Sequence, residues 1–595
     1  MPQFTPPLRD QQFVLHELLK VEEALKEMPT HAEVGRDLID QVLEEGGKFA
    51  SEVVFPLNRD SDEQGCTYAG DGVVTTPDGF KEAYQQYVEA GWPTLTCNPD
   101  FGGQGLPQVV GMSMLENLNS ASQAWAMYPG LSHGAYECLN AHGSDEQKAT
   151  YLPKLVSGQW TGTMCLTEPH CGTDLGLLRS KAEPAGDGSY KISGTKIFIS
   201  SGEHDMAENI IHLVLARLPD APAGTKGISL FIVPKFLPQE DGTPGARNGI
   251  KCARIEEKMG IHANSTCVMD LDGASGWLVG TENRGLNAMF VMMNAARIGV
   301  GLQSLGLMEV AYQNAAVYAK ERLQMRSLSG VKAPEKAADP IIVHPDVRRM
   351  LLTQRAWIEG SRAFAMWLAL QSDIAEAHPD EDVREEAAGH LALLTPIVKA
   401  FLTDNGYEST NLAMQIYGGH GYIREWGMEQ YVRDARINLI YEGTNGIQAL
   451  DLIGRKVLQD GGKNLKAFGK LVRNLVEEEG TNEAMAEFIN PLADLAGKIE
   501  KFSMEIGMKA MQNQDEAGAA SVDFLRVIGH MVMGYFWAKM ARVALDNVDS
   551  GDDFYKAKLA VARFYFARLM PETAFRMRAA RTGAANLMDL ETELF

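Results

Sequence analysis

Apolar positions recur at helical spacing through the first part of the chain. Between residues 33 and 55, Val34, Leu38, Val42 and Phe49 fall near one face, and residues 11 to about 158 read as helices. From about residue 162 to 278 the texture changes to short β-rich runs, at 196–199, 210–215 and 228–233, with Asp187-Gly188 and Asp272-Gly273 marking turns. Strands without alternating helices predict an antiparallel sheet or barrel rather than a doubly wound sheet. From Leu286 helical periodicity returns, longest over 295–322 and 345–372, and predicts a bundle together with the helix ending before Tyr417. Between them, 329–340 holds Gly330, Pro334 and Pro340 and reads as an exposed loop. Beyond Gly461 three more helical stretches follow, 483–512, 521–548 and 552–581; in the last, Leu559, Ala562, Phe566 and Leu569 share a face. Arg563, Arg568, Arg576, Arg578 and Arg581 are expected on a solvated face of that stretch.

The pattern predicts an α+β multidomain chain. Residues 1–40 form an N-terminal extension, 41–159 an N-terminal α-helical domain and 160–281 a middle antiparallel β-barrel or sheet domain. Residues 282–460 form a C-terminal helical bundle domain and 461–595 an additional α-helical domain. Composition agrees with a globular chain: hydrophobic residues make up 45% and charged residues 22%. A formal charge of -23 argues against nucleic acid as a partner, and a polyanionic ligand would need local cations. Seven cysteines, Cys66, Cys97, Cys138, Cys165, Cys171, Cys252 and Cys267, show no Cys-x-x-Cys pair, as expected of reduced thiols in the cytoplasm. The N-terminus lacks a basic region followed by an apolar one, and no uninterrupted apolar run is long enough to span a bilayer, so neither export nor membrane association is expected. There is no Gly-x-Gly-x-x-Gly fingerprint, so a nucleotide would not sit on a Rossmann phosphate loop. The thirteen histidines show no clustered ligand spacing; no metal site and no nucleophilic triad are expected.

Three segments carry candidate chemistry. Tyr441-Glu442-Gly443-Thr444-Asn445-Gly446-Ile447-Gln448 sets one carboxylate among small residues at a loop-to-helix junction, where glycines let a ligand approach the backbone and fixed geometry suits a general base. The others are Met164-Cys165-Leu166-Thr167-Glu168-Pro169-His170-Cys171-Gly172-Thr173-Asp174, and Gln415-Ile416-Tyr417-Gly418-Gly419-His420-Gly421-Tyr422 running into Arg433-Asp434-Ala435-Arg436. In this order the three resemble the signatures of the acyl-CoA dehydrogenase family, over about residues 40 to 456.

The resemblance implies a four-helix bundle after the β domain, FAD as cofactor, and oxidation of an acyl-CoA thioester across its α and β carbons. Glu442 would take the α-proton as hydride leaves the β carbon for flavin N5, giving a trans-2-enoyl-CoA. The Glu442 N–H and a ribitol hydroxyl would hold the thioester oxygen. Met164, Cys165, Leu166, Thr167 and Thr173 would line one side of the flavin, and Phe198, Ile199 and Ser200 the other. Phe198 and Ser200 stand where many relatives have Trp and Thr, and His170 and Cys171 also depart from the commoner residues. Arg322 would reach the pyrophosphate of a neighbouring subunit's FAD, with Gln324, His344, Gln415, Gly418 and Gly419 around the cofactor and Thr444, Asn445 and Gly446 closing the site. Thr173, Asn294, Arg297 and Gly443 would meet the CoA arm. A homo-oligomer, with a dimer favoured, and an electron-transferring flavoprotein as acceptor follow from the same resemblance. The C-terminal extension resembles a long-chain branch and a bacterial branch acting on 3-(methylthio)propanoyl-CoA. The expected substrate is a medium- to long-chain fatty acyl-CoA. Alternatives are 3-(methylthio)propanoyl-CoA in dimethylsulfoniopropionate breakdown, an acyl-CoA oxidase, and a non-catalytic flavin- or CoA-binding scaffold.

Overall fold

The computed structural model describes residues 2–595. The chain forms two compact units, one of Glu45–Gly299 and one of the residues up to Glu44 together with Val300–Phe595.

In the first unit, α1 (Gln108–His142) is the long helix of the N-terminal part, and its backbone leaves helical geometry at Ser122. The next helix, Asp145–Val156, begins at a capping box in which Ser144 Oγ accepts from the Gln147 N–H while the Gln147 side chain accepts from the Ser144 N–H. Besides a small two-stranded ribbon over 236–247, seven strands follow: β1 (Trp160–Cys165), β2 (Lys181–Pro184), β3 (Tyr190–Ser200), β4 (Asn209–Ala216), β5 (Ser229–Pro234), β6 (Ile250–Ile255) and β7 (Thr266–Val279). They form one sheet in the order β1-β4-β5-β7-β3-β2, with β6 also pairing with β7. The sheet is open and mixed, not a closed antiparallel barrel: β1 pairs with β4 in parallel and the other pairings are antiparallel. The chain leaves β1, builds β2 and β3 elsewhere in the sheet and returns as β4, and a crossover of that length permits parallel pairing. Every position of β4 and β5 is buried, which explains their unbroken apolar runs.

The helix α2 (Gly285–Glu321) runs from the first unit into the second. By length and composition it is apolar enough to cross a membrane. Asn294, Arg297 and Gln303 interrupt its apolar run, while the abundant Gly, Ala and Met keep the average high. A core helix of a globular protein has the same composition.

In the second unit α2 packs with α3 (Pro345–Ala377) and α4 (Glu381–Ile416), followed by the short α5 (Asn445–Leu450). A side chain at Gly406 would meet Ser304 Cβ at 2.7 Å, so glycine is what lets α4 approach α2. Four longer helices and one shorter close the chain: α6 (Lys463–Glu479), α7 (Ala486–Gln512), α8 (Asp515–Asn547), α9 (Asp553–Phe564) and α10 (Glu572–Arg581). The stretch read as one helix over 552–581 is broken, because Pro571 ends the turn before α10. Arg563, Arg576 and Arg581 bond to Glu487, Glu572 and Glu505. α8 is buried nearly all round: Gly529 faces Phe401 of α4, and Trp537 Nε1 donates to the Ala356 carbonyl of α3 at 3.2 Å.

The N-terminal segment is tied to this unit by buried charges. Asp10 meets both Arg362 and Lys558; Arg362 also pairs with Glu309 at 2.6 Å and Lys558 with Glu359 at 2.5 Å. Burial pushes the Asp10 carboxyl up, but the charges of Lys558 and Arg362 overcome it and bring it to about 2. Asp10→Ala leaves two buried cations with fewer carboxylates and is expected to cost about 3 kcal/mol at pH 7, read as a lower urea midpoint. Because the native carboxyl is depressed, the difference is full above the unfolded value near 3.8 and shrinks as pH falls toward 2. An unchanged midpoint at pH 7 contradicts it.

Candidate active site

The first motif lies at the end of β1. Met164 and Cys165 are its last residues, and Leu166 and Thr167 open the turn that follows. That turn is built on Glu168, whose carboxylate is buried and receives Lys196 Nζ at 2.8 Å and the N–H groups of Arg179 at 2.7 Å and Ser180 at 3.0 Å. Burial raises this carboxyl, but Lys196 and the two N–H donors overcome it and hold it below its usual range. Lys196 Nζ also donates to the Leu166 carbonyl at 3.1 Å, and the Ile197 N–H donates to Thr167 O at 2.9 Å. Leu166–Thr167 and the end of β3 are thereby laid side by side, which brings Thr167 next to the Phe198 strand end.

Phe198 is the anomaly of that strand. It has φ 59°, in the left-handed region, and is 61% exposed, whereas Ile199 beside it is buried. A bulky residue held there costs about 1–2 kcal/mol, a strain that the surrounding structure has to sustain. Ser200 is half-buried and Thr173 exposed on the loop beyond the turn. The turn also brings donor atoms of Glu168, His170 and Cys171 within 4.8 Å of one another, a grouping that spacing alone did not suggest. Glu168 already serves Lys196 and two N–H groups and His170 Nε2 meets the Leu177 carbonyl at 3.0 Å, so we assign no metal there. In the same unit, on α2, Arg297 Nη1 donates to Asn294 Oδ1 at 3.3 Å, one turn away.

The second unit holds the other predicted residues in two places. The first is the end of α2. Tyr318 stacks on Tyr417 at 4.0 Å and its hydroxyl meets His420 Nδ1 at 2.8 Å, which brings Gln415, Gly418 and Gly419 beside the helix end; all three are exposed. Gly418 has φ 58° and ψ -137°, a conformation for glycine only, and a side chain there would meet nothing within 4 Å. The strand-like pairing of 322–325 with 339–341 follows, and His344 Nε2 meets the Gln324 carbonyl at 3.0 Å. Here the loop 329–340 is pinned from inside: Asp339 is buried and accepts from the N–H groups of Ser327, Lys332 and Ala333, and these with Arg326 overcome burial and bring its carboxyl to about 2. Among the described residues the Arg322 guanidinium is exposed and makes no ion pair.

The second place is the Glu442 loop. Glu442 has φ 57° and Gly443 φ 84°, two successive left-handed residues, and Glu442 is half-buried. Gln448 Nε2 donates to the Glu442 carbonyl at 3.1 Å and the Gly443 carbonyl at 3.4 Å, and the Tyr441 hydroxyl bonds to Gln303 and to Asn438. Asn445 opens α5. Its Oδ1 accepts from Lys399 Nζ at 2.8 Å, and its Nδ2 donates to Asp404 Oδ1 at 2.7 Å and Thr403 Oγ1 at 2.9 Å. That side chain is spent inside the protein, so an Asn445 contact to a cofactor falls to its backbone. Thr444 and Gly446 are exposed.

Sequence reasoning passed over Glu168, Lys196, Lys399, Asp404 and Gln303. The available signal was a lysine at a buried position of an apolar strand and another inside an apolar stretch of α4, since lysines are buried only when paired.

The first unit thus carries an open β sheet with an exposed, strained aromatic beside a threonine turn, and the second unit carries a half-buried carboxylate on a left-handed turn. The chain matches the N-terminal domain of acyl-CoA dehydrogenases over 37–159, the middle domain over 163–274, the C-terminal domain over 283–458 and the acetyl-CoA dehydrogenase C-terminal-like domain over 468–591. It is 43% identical to the 3-methylmercaptopropionyl-CoA dehydrogenase of Ruegeria pomeroyi over 98% of both chains. It is 34% identical to the broad-specificity linear acyl-CoA dehydrogenase FadE5 of Mycobacterium tuberculosis over 100% of both. An acyl-CoA dehydrogenase of Bacillus anthracis, solved with FAD, shares its fold with TM-score 0.74 at 20% identity, over 93% of this chain and 90% of that one. The chain therefore belongs to the acyl-CoA dehydrogenase family, and FAD is its cofactor.

Replacing Phe198 by Gly removes the ring and the strain together. The flavin-free protein is expected to keep or slightly raise its thermal midpoint while FAD occupancy at a fixed FAD concentration falls. Equal occupancy in both proteins contradicts a wall role for Phe198.

Proposed function

We propose that this enzyme removes hydrogen from the α and β carbons of an acyl-CoA with Glu442 as the base, and that its preferred acyl group is short and unbranched, 3-(methylthio)propanoyl-CoA being the leading candidate. The observation that carries the reading is Glu442 itself: a carboxylate at φ 57°, half-buried, on a turn fixed by Gln448 and Asn445. A base held this way is worth roughly 100- to 10,000-fold. When bound, FAD supplies the two-electron acceptor for the β-hydrogen. Glu442 takes the α-proton, and its N–H is proposed to hold the thioester oxygen on which charge develops, a contribution of about 3–4 kcal/mol. Thr167 and Ser200 offer hydroxyls and Phe198 a flat wall to the ring. Thr173, Asn294 and Arg297 are proposed to receive the CoA arm.

The 43% identity to a dehydrogenase of 3-methylmercaptopropionyl-CoA supports the short acyl group. A second reading, medium- to long-chain linear acyl groups, is supported by the likeness to a broad-specificity linear acyl-CoA dehydrogenase. An electron-transferring flavoprotein is the proposed acceptor. A homodimer is proposed from spacing within the second unit: Tyr441 bonds to Gln303, and Glu321, next to Arg322, lies roughly 27 Å further along α2 at 1.5 Å per residue. The exposed Arg322 and Gly418 are thus far from Glu442 of their own chain along that axis, as residues serving a partner's cofactor would be.

Anaerobic titration of the FAD-loaded protein is expected to bleach the flavin faster with 3-(methylthio)propanoyl-CoA and butyryl-CoA than with palmitoyl-CoA; the reverse order favours the second reading. Glu442→Gln should retain FAD and slow bleaching at least about 100-fold. Bleaching at the wild-type rate in that variant removes Glu442 as the base.

A further inference from the structure

The amide of Asn445 lies between an ammonium and a carboxylate. Lys399 can only donate and so takes Oδ1, and Asp404 accepts and so takes Nδ2; the two charges together fix which way the amide points. Lys399, Thr403 and Asp404 lie on consecutive turns of α4, so the start of α5, three residues after Glu442, is bolted to α4. Lys399 is fully buried and Asp404 half-buried, which makes the balance of charge around them costly to disturb.

A further cation on α4 comes from α8, in the segment 468–591 that matches a separate family model. Arg526 is buried, with its Nη1 donating to Asn405 Oδ1 at 2.8 Å, its Nη2 to Glu572 Oε2 at 2.7 Å and its carbon centre 4.6 Å from the Phe401 ring. Both Asn405 and Phe401 are on α4, flanking Asp404. Burial pushes the Asp404 carboxyl up, and the Arg526 charge is foremost among the groups that oppose this, followed by the Asn445 amide and Lys399. The helix α5 itself packs against α8.

We propose that Arg526 of the C-terminal helices is a positioning residue for the Glu442 loop: its guanidinium bonds to Asn405 and lies over the Phe401 ring, which fixes the turn of α4 that presents Asp404, Asp404 grips the Asn445 amide, and Asn445 fixes the turn that carries Glu442. The C-terminal segment then does more than cover the bundle, since it sets the geometry of the base. This rests on Glu442 being the base, and the test separates the two claims.

Two readouts are taken on Arg526→Gln, Arg526→Lys and Tyr565→Phe: hydrogen exchange of residues 439–450 in flavin-free protein, and the rate of anaerobic flavin reduction at saturating thioester in FAD-loaded protein. Arg526→Gln is expected to speed loop exchange and slow reduction at least about tenfold at unchanged flavin content. Arg526→Lys, which keeps the charge, should restore most of the rate. Tyr565→Phe removes the hydroxyl that pairs with His530 within the same helices and should lower the thermal midpoint while leaving both readouts unchanged. Wild-type exchange and rate in Arg526→Gln, or an equal loss in Tyr565→Phe, overturns the proposal. If Arg526→Gln does not fold, Asp404→Asn carries the same test with the same expected losses. Glu442→Gln in the same series reports on the base alone: a wild-type rate there sinks the base assignment, while the loop exchange of Arg526→Gln still decides the positioning claim.

Discussion

One neutral amide, that of Asn445, is held between the buried Lys399 ammonium and the Asp404 carboxylate, and the turn that carries Glu442, the proposed base, depends on it. Two successive left-handed residues, Glu442 and Gly443, are an unfavourable start for a helix, and they persist because the structure after them is over-determined. Gln448 adds a second restraint by donating back to both of their carbonyls. The result is a carboxylate presented from a turn that cannot relax into the commoner backbone conformations. Strain here is part of how the proposed base is aimed.

The flavin side is organised by a similar device in the other unit. Glu168 and Lys196 form a buried pair whose remaining hydrogen-bonding capacity is met by backbone N–H groups and a carbonyl. Such a pair adds little net stability, yet it dictates where two chain segments lie relative to each other. With the Thr167 carbonyl tied to the Ile197 N–H, the turn after β1 and the strained end of β3 become one surface. In both units, then, the residues proposed to face a ligand are small, exposed or strained, while the charged residues behind them are paired.

Much of this was legible in the sequence. The change from helical to β texture near residue 160, and back near 285, follows from apolar spacing, and the runs at 210–215 and 228–233 lie in β4 and at β5. The Glu442 segment was legible because its glycines have a conformational reason to be there, and the Gly418 and Thr167 segments through their resemblance to the family's signatures. What periodicity could not give was partnership across the chain. Nothing local to Lys196 announces Glu168, and nothing local to Asn445 announces Asp404. The parallel pairing of β1 with β4 was hidden for the same reason, since strand order is a long-range property. The 329–340 segment showed its exposed surface in its Gly and Pro, but its buried organiser, Asp339, looked like any loop aspartate.

The central claim is that Glu442 takes the α-proton in the same step that the β-hydrogen leaves. The most direct measurement is the rate of flavin reduction with thioesters deuterated at the α carbon, at the β carbon and at both. The account predicts that each single label slows reduction and that the double label slows it further. Reduction at an unchanged rate with the α-deuterated thioester would contradict it.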